Sequence, residues 1–380
     1  MDGTITSSGL RLLNLRRVLD AVYHSQGVSK QGISQQLSLS LPTVSQNLKE
    51  LEALGLVTRQ GLFDSTGGRK AQVYHFCATA RFSIGVLLLK EGYHIVATNL
   101  YGITVKTATI PVSLSMDETY LRQFGTHINQ FVQELTEQPE QILGVAIAVQ
   151  GLVSPDGSRV FYGEVANCTG LTCDMIQTYI NYPCYLIHDA EAAAIGELWM
   201  QKDLKNAILF SLSRNFNGLM VVDGEIFHGQ TLNGTIEHMR LYPGGRPCYC
   251  GKRGCIEAYC SSDALLREVG EPLQAFFRSL RAGSSARAAM WDQYLRNLAI
   301  AMNNVRMLVD LEFVLCGYLL QFMNDEDFQH LALYAKEECA FDLPEINIRQ
   351  SAFSENGAAC GAAISLVKQY LDSGVSVQLT

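Results

Sequence analysis

HMRLYPGGRPCYCGKRGCIE, residues 238–257, is the stretch of sequence that decides the fold. This stretch, the His/Cys loop, places one histidine and three cysteines close together: His238, Cys248, Cys250 and Cys255. Tetrahedral zinc takes this kind of ligand set, and glycines between the cysteines let the backbone turn around one ion. Four protein ligands leave no open position for water, so we predict a structural zinc ion. The alternative is a glycine-rich turn in which the thiols are buried incidentally.

Length and composition indicate a chain of more than one domain. With 380 residues, 48% of them hydrophobic, the sequence is long enough for two or three domains with sizeable cores. We find no charged leader followed by an apolar segment, and no apolar run near the ~18 residues that a membrane span needs. The sequence therefore predicts a cytoplasmic protein without a membrane partner.

The cysteines outside the His/Cys loop are scattered along the chain. They are Cys77, Cys168, Cys173, Cys184, Cys260, Cys316, Cys339 and Cys360. Scattered thiols in a chain without an export signal are expected to be reduced residues of the core.

Charge is divided unevenly along the chain. Residues 1–80 carry eight Lys and Arg against five Asp and Glu, whereas residues 81–380 carry 21 against 32. A mildly basic head on an acidic body is typical of a nucleic-acid reader attached to a part that does not bind nucleic acid.

The head shows a helix-turn-helix pattern. Apolar residues recur with helical spacing over residues 10–22, and residues 30–37 form a short second helix. A third helix begins near Ser40, a good N-cap, has Pro42 in its first turn and ends at Gly55. The polar face of this helix is predicted to contact base edges and phosphates in a major groove through Thr43, Gln46, Asn47 and Lys49.

Two short strands, residues 56–60 and 72–76, complete the head as a wing. The loop between them contains the sequence TGGRK, whose glycines permit close approach to a DNA backbone. We therefore predict that Arg69 and Lys70 bind phosphates or enter a minor groove. The alternative is a three-helix packing module whose polar face is merely solvated.

From residue 78 onward, apolar strands alternate with helices in two successive blocks. The first block has strands at 82–89, 95–100, 104–111, 142–149 and 185–188 and a helix at 116–135. The second block begins with a helix at Asp189 and continues with strands at 207–212, 218–222 and 313–316 and helices at 291–308 and 357–368. This pattern predicts two α/β lobes with a cleft between them, the first about 78–188 with the C-terminal helix and the second about 189–356. Ligands usually bind in a cleft of this kind.

The winged head, the His/Cys loop and the pair His188-Asp189 at a strand end together resemble the ROK family of repressors, open reading frames and kinases. The resemblance covers nearly the whole chain and is to the regulator branch, which includes the repressors of N-acetylglucosamine, glucose and xylose genes. It implies an α/β protein with an N-terminal winged helix-turn-helix, residues 1–77, and a two-lobed actin-like body of the sugar-kinase type, residues 78–380. It also implies that a sugar lies between the lobes.

The same resemblance implies four sugar-contacting residues: Asn167, Asp189, His238 and Glu257. Asp189 is similar to the base that activates the sugar hydroxyl in kinase members, and His238 is also a zinc ligand. Carboxylate and amide groups form several hydrogen bonds with vicinal hydroxyls. Two alternatives stand beside these roles: Asp189 caps the helix that follows it, and Glu257 is a solvated residue after the His/Cys loop.

The chain departs from kinase members of the family at three segments that bind ATP phosphates. An Asp-x-Gly-Gly-Thr turn is replaced by SIGVL at residues 83–87, and a Gly-Thr-Gly-x-Gly loop is replaced by SRNFNG at residues 213–218. The Gly-Gly pair of the third segment reads Cys316-Gly317. Bulky side chains would stand where backbone N–H groups should cradle phosphate, so we predict no kinase activity.

A further departure from the family pattern concerns a residue that binds the sugar. Family members usually read Gly-Glu-x-Gly-His before the zinc ligands, whereas this chain reads GTIEH at residues 234–238. Thr235 thus replaces the sugar-binding glutamate, and Glu237 replaces a glycine. Because successive side chains of a strand point to opposite faces, we expect Glu237 to point away from the sugar and not to replace the missing carboxylate.

These features together predict a DNA-binding transcriptional repressor of carbohydrate uptake or catabolism genes, which a sugar or sugar phosphate releases from DNA. Two protomers, in a homodimer or a homotetramer, would present two heads to a pseudo-palindromic operator. One alternative is a sugar kinase with a fused winged head. Another is a regulator whose body responds to a protein partner.

Overall fold

The computed structural model describes residues 7–62, 71–229, 235–342, 344, 346–353 and 356–374. The predicted wing residues Arg69 and Lys70 lie outside these ranges. None of the described helices is long and apolar enough to cross a membrane.

Three helices and a three-stranded sheet form the head. In chain order the elements are α1 (Ser7–Tyr23), β1 (Val28–Ser29), α2 (Lys30–Leu37), α3 (Leu41–Ala53), β2 (Val57–Leu62) and β3 (Gln72–Phe76). The strands are ordered β1-β3-β2, and both pairs are antiparallel. The hydroxyl of Ser40 caps α3 by accepting a hydrogen bond from the backbone N–H of Thr43, as its position in the sequence predicts. The head is therefore a winged helix-turn-helix, which confirms the prediction.

The apolar core of the head is continuous with part of the body. Val18 of α1 and Leu48 of α3 are at most 1% exposed within it. The same cluster contains Leu100, Val367 and Tyr370 of the body. Head and body therefore meet through packed apolar side chains.

The first lobe contains a five-stranded sheet. Its elements are β4 (Phe82–Leu89), β5 (Gly92–Asn99), β6 (Thr104–Ile110), α4 (Glu118–Gln133), β7 (Ile142–Val149), β8 (Leu152–Val153), β9 (Val160–Tyr162), α5 (Cys173–Gln177) and β10 (Cys184–His188). The strand order is β10-β7-β4-β5-β6, in which β7 is parallel to both β4 and β10. The parallel pairing brings Gln150 and Asp189, which directly follow β7 and β10, to the same edge of the sheet.

The second lobe has more helices than the sequence predicts. Its elements are α6 (Asp189–Met200), β11 (Ala207–Leu212), β12 (Phe216–Val222), β13 (Glu225–Ile226), α7 (Glu257–Cys260), α8 (Ser262–Val269), α9 (Leu273–Arg281), α10 (Ser285–Arg306), β14 (Glu312–Cys316), α11 (Asp325–Glu337) and β15 (Ile348–Gln350). The last helix, α12 (Gly357–Gln369), packs on the sheet of the first lobe. Its sheet has the strand order β13-β12-β11-β14-β15. Helices α9 and α10 contribute Phe276 and Trp291 to a core that also holds Phe210 of β11.

Helix α12 lies against both α6 and the first sheet. A Cβ atom at Gly361 would lie 1.7 Å from the carbonyl oxygen of Ala192 in α6, and one at Gly85 in β4 would lie 1.9 Å from the carbonyl oxygen of Ala359. Only glycine fits where two backbones approach so closely. The glycines and alanines of α12 therefore join the two lobes, and the two-lobed α/β body predicted from the sequence is confirmed.

Candidate functional site

The four predicted metal ligands lie together. The ligand atoms of His238, Cys248, Cys250 and Cys255 are all within 4.8 Å of one another. One imidazole and three thiols form a closed set that suits a tetrahedral metal ion and leaves no position for a substrate. Among the described residues, no other group of three or more histidine, cysteine or acidic side chains is close enough to hold a metal ion. The cluster can therefore bind a metal.

Backbone contacts hold the His/Cys loop closed. Antiparallel bridges join Pro247 to Arg253 and Arg240 to Cys255. A Cβ atom at Gly254, whose φ is 82°, would lie 1.7 Å from the carbonyl oxygen of Tyr242. Both the conformation and the close approach at this position require glycine. The loop thus positions its thiols through its own backbone.

Asp189 is buried where the chain passes from the first lobe to the second. It is the first residue of α6 and is 8% exposed. The side-chain amide of Asn217 donates a hydrogen bond of 3.2 Å to its Oδ2. Burial raises the pKa of Asp189, because the charged carboxylate loses hydration. The N-cap of α6 is His188, although Asp189 Oδ1 also accepts a hydrogen bond from the N–H of Ala190.

Glu257 is buried beside the His/Cys loop. It is the first residue of α7 and is 3% exposed, so it is not solvated. Its carboxylate accepts hydrogen bonds from the backbone N–H of Phe216 at 2.6 Å and from Nδ2 of Asn215 at 3.1 Å. Burial raises the pKa of Glu257 to about 8, and the hydrogen bonds from Phe216 and Asn215 act in the opposite direction. The protein therefore holds this carboxylate in one position.

Glu237 lies in the same group, and the expectation that it points away is wrong. The structure places it in a 3₁₀ turn, Ile236–His238, where it is 6% exposed. Burial raises the pKa of Glu237 well above its usual range, and the nearby charges of Glu257 and Asp189 add to this effect. Its Oε1 lies 3.6 Å from Nε2 of His238. Side chains do not alternate between two faces here as they do in a strand, because a 3₁₀ turn has three residues per turn.

A signal for Glu237 was present in the sequence. The motif of residues 234–238 loses its usual glutamate at Thr235 but gains one two residues later. In the structure Thr235 forms an isolated bridge to Gly218, and the turn begins directly after it. Thr235 has a φ of −104° and a ψ of 22°, so its backbone is not extended, and only the three-dimensional structure reveals this.

Asn167 lies on a loop beside this group. It is exposed and has a left-handed backbone with a φ of 52°. Burial, with a contribution from the charge of Asp189, raises the pKa of the adjacent Cys168 thiol to about 11. The carboxylates of Asp189 and Glu257 are hydrogen-bonded to Asn217 and Asn215 instead. The structure thus brings three of the four predicted sugar contacts together and leaves Asn167 at the edge.

Two cavities open between the lobes. One, of about 540 Å³, has in its wall Glu164, Arg214, Asn215, Cys248 and Glu257. The other, of about 880 Å³, has in its wall Asp189, Glu197, Ser213, Asp263, Glu271 and Gly317. Gln150 borders both cavities and donates a hydrogen bond of 3.4 Å to Oδ1 of Asn215 across the cleft. Ligands can therefore reach Asp189 and Glu257 from this cleft.

The segments predicted to depart from the phosphate-binding pattern lie at the larger cavity or under α12. Ser213 and Gly317 are in contact there, since a Cβ atom at Gly317 would lie 2.7 Å from Oγ of Ser213. Gly85 is covered by the backbone of α12. Arg214, in the wall of the same cavity, is paired with Glu91. A phosphate group would thus meet several carboxylates and an arginine that already has an ionic partner.

On the head, the structure exposes some of the residues predicted to contact DNA and buries another. Gln46 and Lys49 are exposed on α3, and Thr43 is half-buried. Asn47 is only 3% exposed, and its Nδ2 donates a hydrogen bond of 2.9 Å to the carbonyl oxygen of Thr43. The expectation that Asn47 is presented to DNA is therefore wrong. Its position, three residues after the buried Val44, is on the inner face of the helix.

The fold and the clustered side chains define a class of protein in which a winged helix-turn-helix is packed onto a two-lobed, sugar-kinase-like body with a metal-binding loop. The sequence pattern of the ROK family matches residues 104–369, which are more than half of the chain. The chain belongs to the ROK family. The MarR family matches residues 16–69, within the head.

Several relatives are similar over much of their length. The xylose repressor of Bacillus subtilis (strain 168) is 26% identical over 266 residues, which are 68% of this chain and 68% of the relative. The DNA-binding transcriptional dual regulator NagC of Escherichia coli (strain K12) is 25% identical over 77% of this chain and 72% of its own.

Solved structures share the fold. A ROK family transcriptional regulator, a homolog of the E. coli MLC protein, aligns with a TM-score of 0.76 and 20% identity over 97% of this chain and 98% of its own. The ROK hexokinase from Thermus thermophilus aligns with a TM-score of 0.62 and 19% identity over 77% of this chain and 100% of its own. The difference in coverage corresponds to the additional head of this chain.

Proposed function

We propose that this protein is a sugar-responsive DNA-binding transcriptional regulator, a repressor of carbohydrate uptake or catabolism genes. The winged head binds operator DNA, and a sugar or sugar phosphate binds between the lobes near Asp189, His238 and Glu257. Binding of the sugar releases the DNA. Support comes from relatives named as a xylose repressor and as a DNA-binding transcriptional dual regulator.

One observation carries the proposal: a single helix connects the candidate sugar site with the head. Asp189 is the first residue of α6, and Trp199 lies in its last turn. The indole N–H of Trp199 donates a hydrogen bond of 2.8 Å to the carbonyl oxygen of Tyr101. The rings of Tyr101 and Tyr23 of α1 are 4.8 Å apart, and the Tyr101 hydroxyl donates to the Tyr23 carbonyl at 3.2 Å. About 15 Å of helix thus separates Asp189 from Trp199, at the joint with the head.

This arrangement couples the two sites physically. A sugar that favours one arrangement of the lobes displaces the first turn of α6, and α12 moves with it because the two helices are in backbone contact. The displacement reaches Tyr101, then α1, and so changes the orientation of the head. The coupling is reciprocal, so DNA that selects one orientation lowers the affinity for sugar by the same factor.

We infer that the metal of the His/Cys loop is zinc and that its role is structural. The Nδ1 atom of His238 faces the cluster, 3.7 Å from Sγ of Cys248, while Nε2 faces Glu237. Zinc bound through Nδ1 would fix the orientation of the imidazole and leave Nε2 directed toward the sugar site.

In this proposal the body is not a kinase. Phosphoryl transfer depends on positioning the phosphates and neutralising their charge. The larger cavity instead has Asp189, Glu197 and Asp263 in its wall, and Gly85 has no free space beside it. Asp189 therefore contacts sugar without transferring a phosphoryl group.

The proposal predicts that a sugar lowers the affinity for operator DNA and that Trp199→Phe weakens this response. Operator fragments are selected from random-sequence DNA with the purified protein, and free and phosphorylated sugars are screened for release. Loss of the indole N–H leaves the Tyr101 carbonyl oxygen unpaired, at a cost of ~1 kcal/mol. We expect the sugar-dependent change in operator affinity to fall about fivefold, since ~1 kcal/mol of coupling corresponds to that factor.

Sugar binding in the absence of DNA should be unchanged in this variant. Met200→Leu, exposed at the same end of α6, is the matched control. Operator binding that no sugar alters would refute the proposal, and sugar-dependent ATP turnover would favour the kinase.

Substitutions of two exposed residues of α3, Lys49 and Gln46, should affect DNA binding in different ways. Lys49→Ala removes a phosphate contact, so it should weaken binding to all sequences and reduce the salt slope by about 1. Gln46→Ala removes a base contact, so it should cost about 1–3 kcal/mol at one operator position and relax the preference there. Fluorescence anisotropy at several salt concentrations measures both effects. Lys336→Ala, exposed on α11, is the charge-matched control, and equal losses in this variant would contradict the assignment of Lys49.

A further inference from the structure

Two buried acceptor atoms in the candidate sugar site lack a hydrogen-bond partner. They are Oε2 of Glu237 and Oδ1 of Asn217, whose residues are 6% and 7% exposed. A buried acceptor without a donor is costly, and native proteins rarely leave one unpaired. Both atoms therefore indicate that a ligand with hydrogen-bond donors belongs at this place.

Each of these side chains is oriented by its other polar atom. Nδ2 of Asn217 donates to Asp189, which leaves Oδ1 free to accept. Oε1 of Glu237 faces Nε2 of the metal-ligand residue His238 at 3.6 Å, which leaves Oε2 free to accept. Two acceptors on neighbouring elements are thus held ready for a ligand that carries more than one donor.

The surrounding charges restrict the chemistry of this ligand. Among the described residues, the carboxylates of Asp189, Glu237 and Glu257 do not approach one another closely enough to share a metal ion. The wall of the larger cavity holds Glu197 and Glu271 as well as Asp189, and its arginine is already paired with an acidic residue. A phosphate group placed there would be repelled. A neutral molecule with several hydroxyl groups fits both conditions.

We propose that Glu237 is a specificity-determining sugar ligand, which accepts a hydrogen bond from a hydroxyl of a neutral, unphosphorylated sugar that also donates to Asn217. This inference rests on the proposed function and deepens it, because it selects the free sugar over the sugar phosphate. Glu237 replaces the carboxylate that Thr235 removes from the family pattern. Thr235 itself is bridged to Gly218 and precedes the turn that carries Glu237.

Isothermal titration of the metal-loaded full chain with neutral pentoses and hexoses, and with their phosphate esters, tests the inference. We expect at least one neutral sugar to bind, and its phosphate ester to bind at least about tenfold more weakly. Glu237→Gln should lower the affinity for the neutral sugar about tenfold, because one of the two side-chain oxygens becomes an NH2 group, which cannot accept a hydrogen bond. Glu140→Gln removes an exposed charge that lies in neither cavity wall and should leave the affinity unchanged.

Metal content and unfolding temperature show whether Glu237→Gln is folded, and an isosteric neutral side chain at this buried position is not expected to destabilise it. Unchanged sugar binding by Glu237→Gln would overturn the inference and leave the proposed function intact. Equal or tighter binding of the phosphate ester would overturn it as well. If the wild-type protein binds no sugar of the panel, the proposed function itself fails.

Discussion

Replacing Cys250 by serine is expected to release the metal from the His/Cys loop and to destabilise the body by several kcal/mol. The ligand atoms of the cluster are already within 4.8 Å of one another, so one ion links residues 238 and 255. Structural zinc contributes ~10 kcal/mol or more to the folding of small zinc domains. The loss here should be on the order of half that value, because the body keeps its remaining core.

The same substitution should abolish sugar binding. Glu237 directly precedes the first ligand, His238, and Glu257 follows the last ligand, Cys255, by two residues. When the loop opens, both carboxylates lose their positions although neither is altered. Binding sites lose affinity steeply when their supporting residues move, because geometry within about 0.5 Å is needed.

Metal analysis, urea unfolding and sugar titration measure the three consequences of Cys250→Ser. Cys339→Ser is the matched control, since Cys339 is a half-buried free cysteine at the end of α11. It should retain the metal, the stability and the affinity. A Cys250→Ser protein that keeps a full equivalent of metal would show that Cys250 is not a ligand.

The metal cluster could be predicted from the sequence because its members are close together in the chain. All four ligands lie between His238 and Cys255, and thiols at such spacings have few other uses. The head was predictable for a similar reason, since helical periodicity, the cap at Ser40 and the early Pro42 are all local signals. Local signals in the sequence thus predict both the head and the His/Cys loop.

Contacts between distant residues could not be predicted. Asp189 and Glu257 were identified by resemblance, but their partners Asn217 and Asn215 come from a segment in which the sequence shows only a departure from the family pattern. Nothing in the local sequence indicates that these asparagines hold the two carboxylates. Such pairs exist only once the sheet of the second lobe and α6 are packed together.

The two corrected residues show how a local rule fails. Asn47 was assigned to the exposed face because it is polar, yet it is buried and satisfied by the carbonyl oxygen of Thr43 in its own helix. Glu237 was assigned by strand alternation, yet it lies in a 3₁₀ turn. In both cases the side chain is buried by the packing of the folded protein, which a pattern in the local sequence does not contain.

Replacing Gly361 by alanine is the second substitution for which we expect a large effect. The added Cβ atom would lie 1.7 Å from the carbonyl oxygen of Ala192 and 3.0 Å from the backbone nitrogen of Gly196. A backbone cannot move aside as a flexible side chain can, so α12 and α6 must separate. We expect a loss of about 3 kcal/mol, at the upper end of the cost of overpacking.

Gly357→Ala is the matched control for Gly361→Ala, because it makes the same change at the first residue of the same helix. Its Cβ atom would lie 3.4 Å from Cβ of Phe353, an ordinary contact, and alanine favours a helix over glycine by up to ~1 kcal/mol. The urea midpoints of the two variants should therefore move in opposite directions. Because α6 also carries Asp189 and Trp199, folded Gly361→Ala protein should show a weaker release of operator by sugar. If the two variants unfold at the same urea concentration, the close fit of α12 against α6 does not stabilise the body.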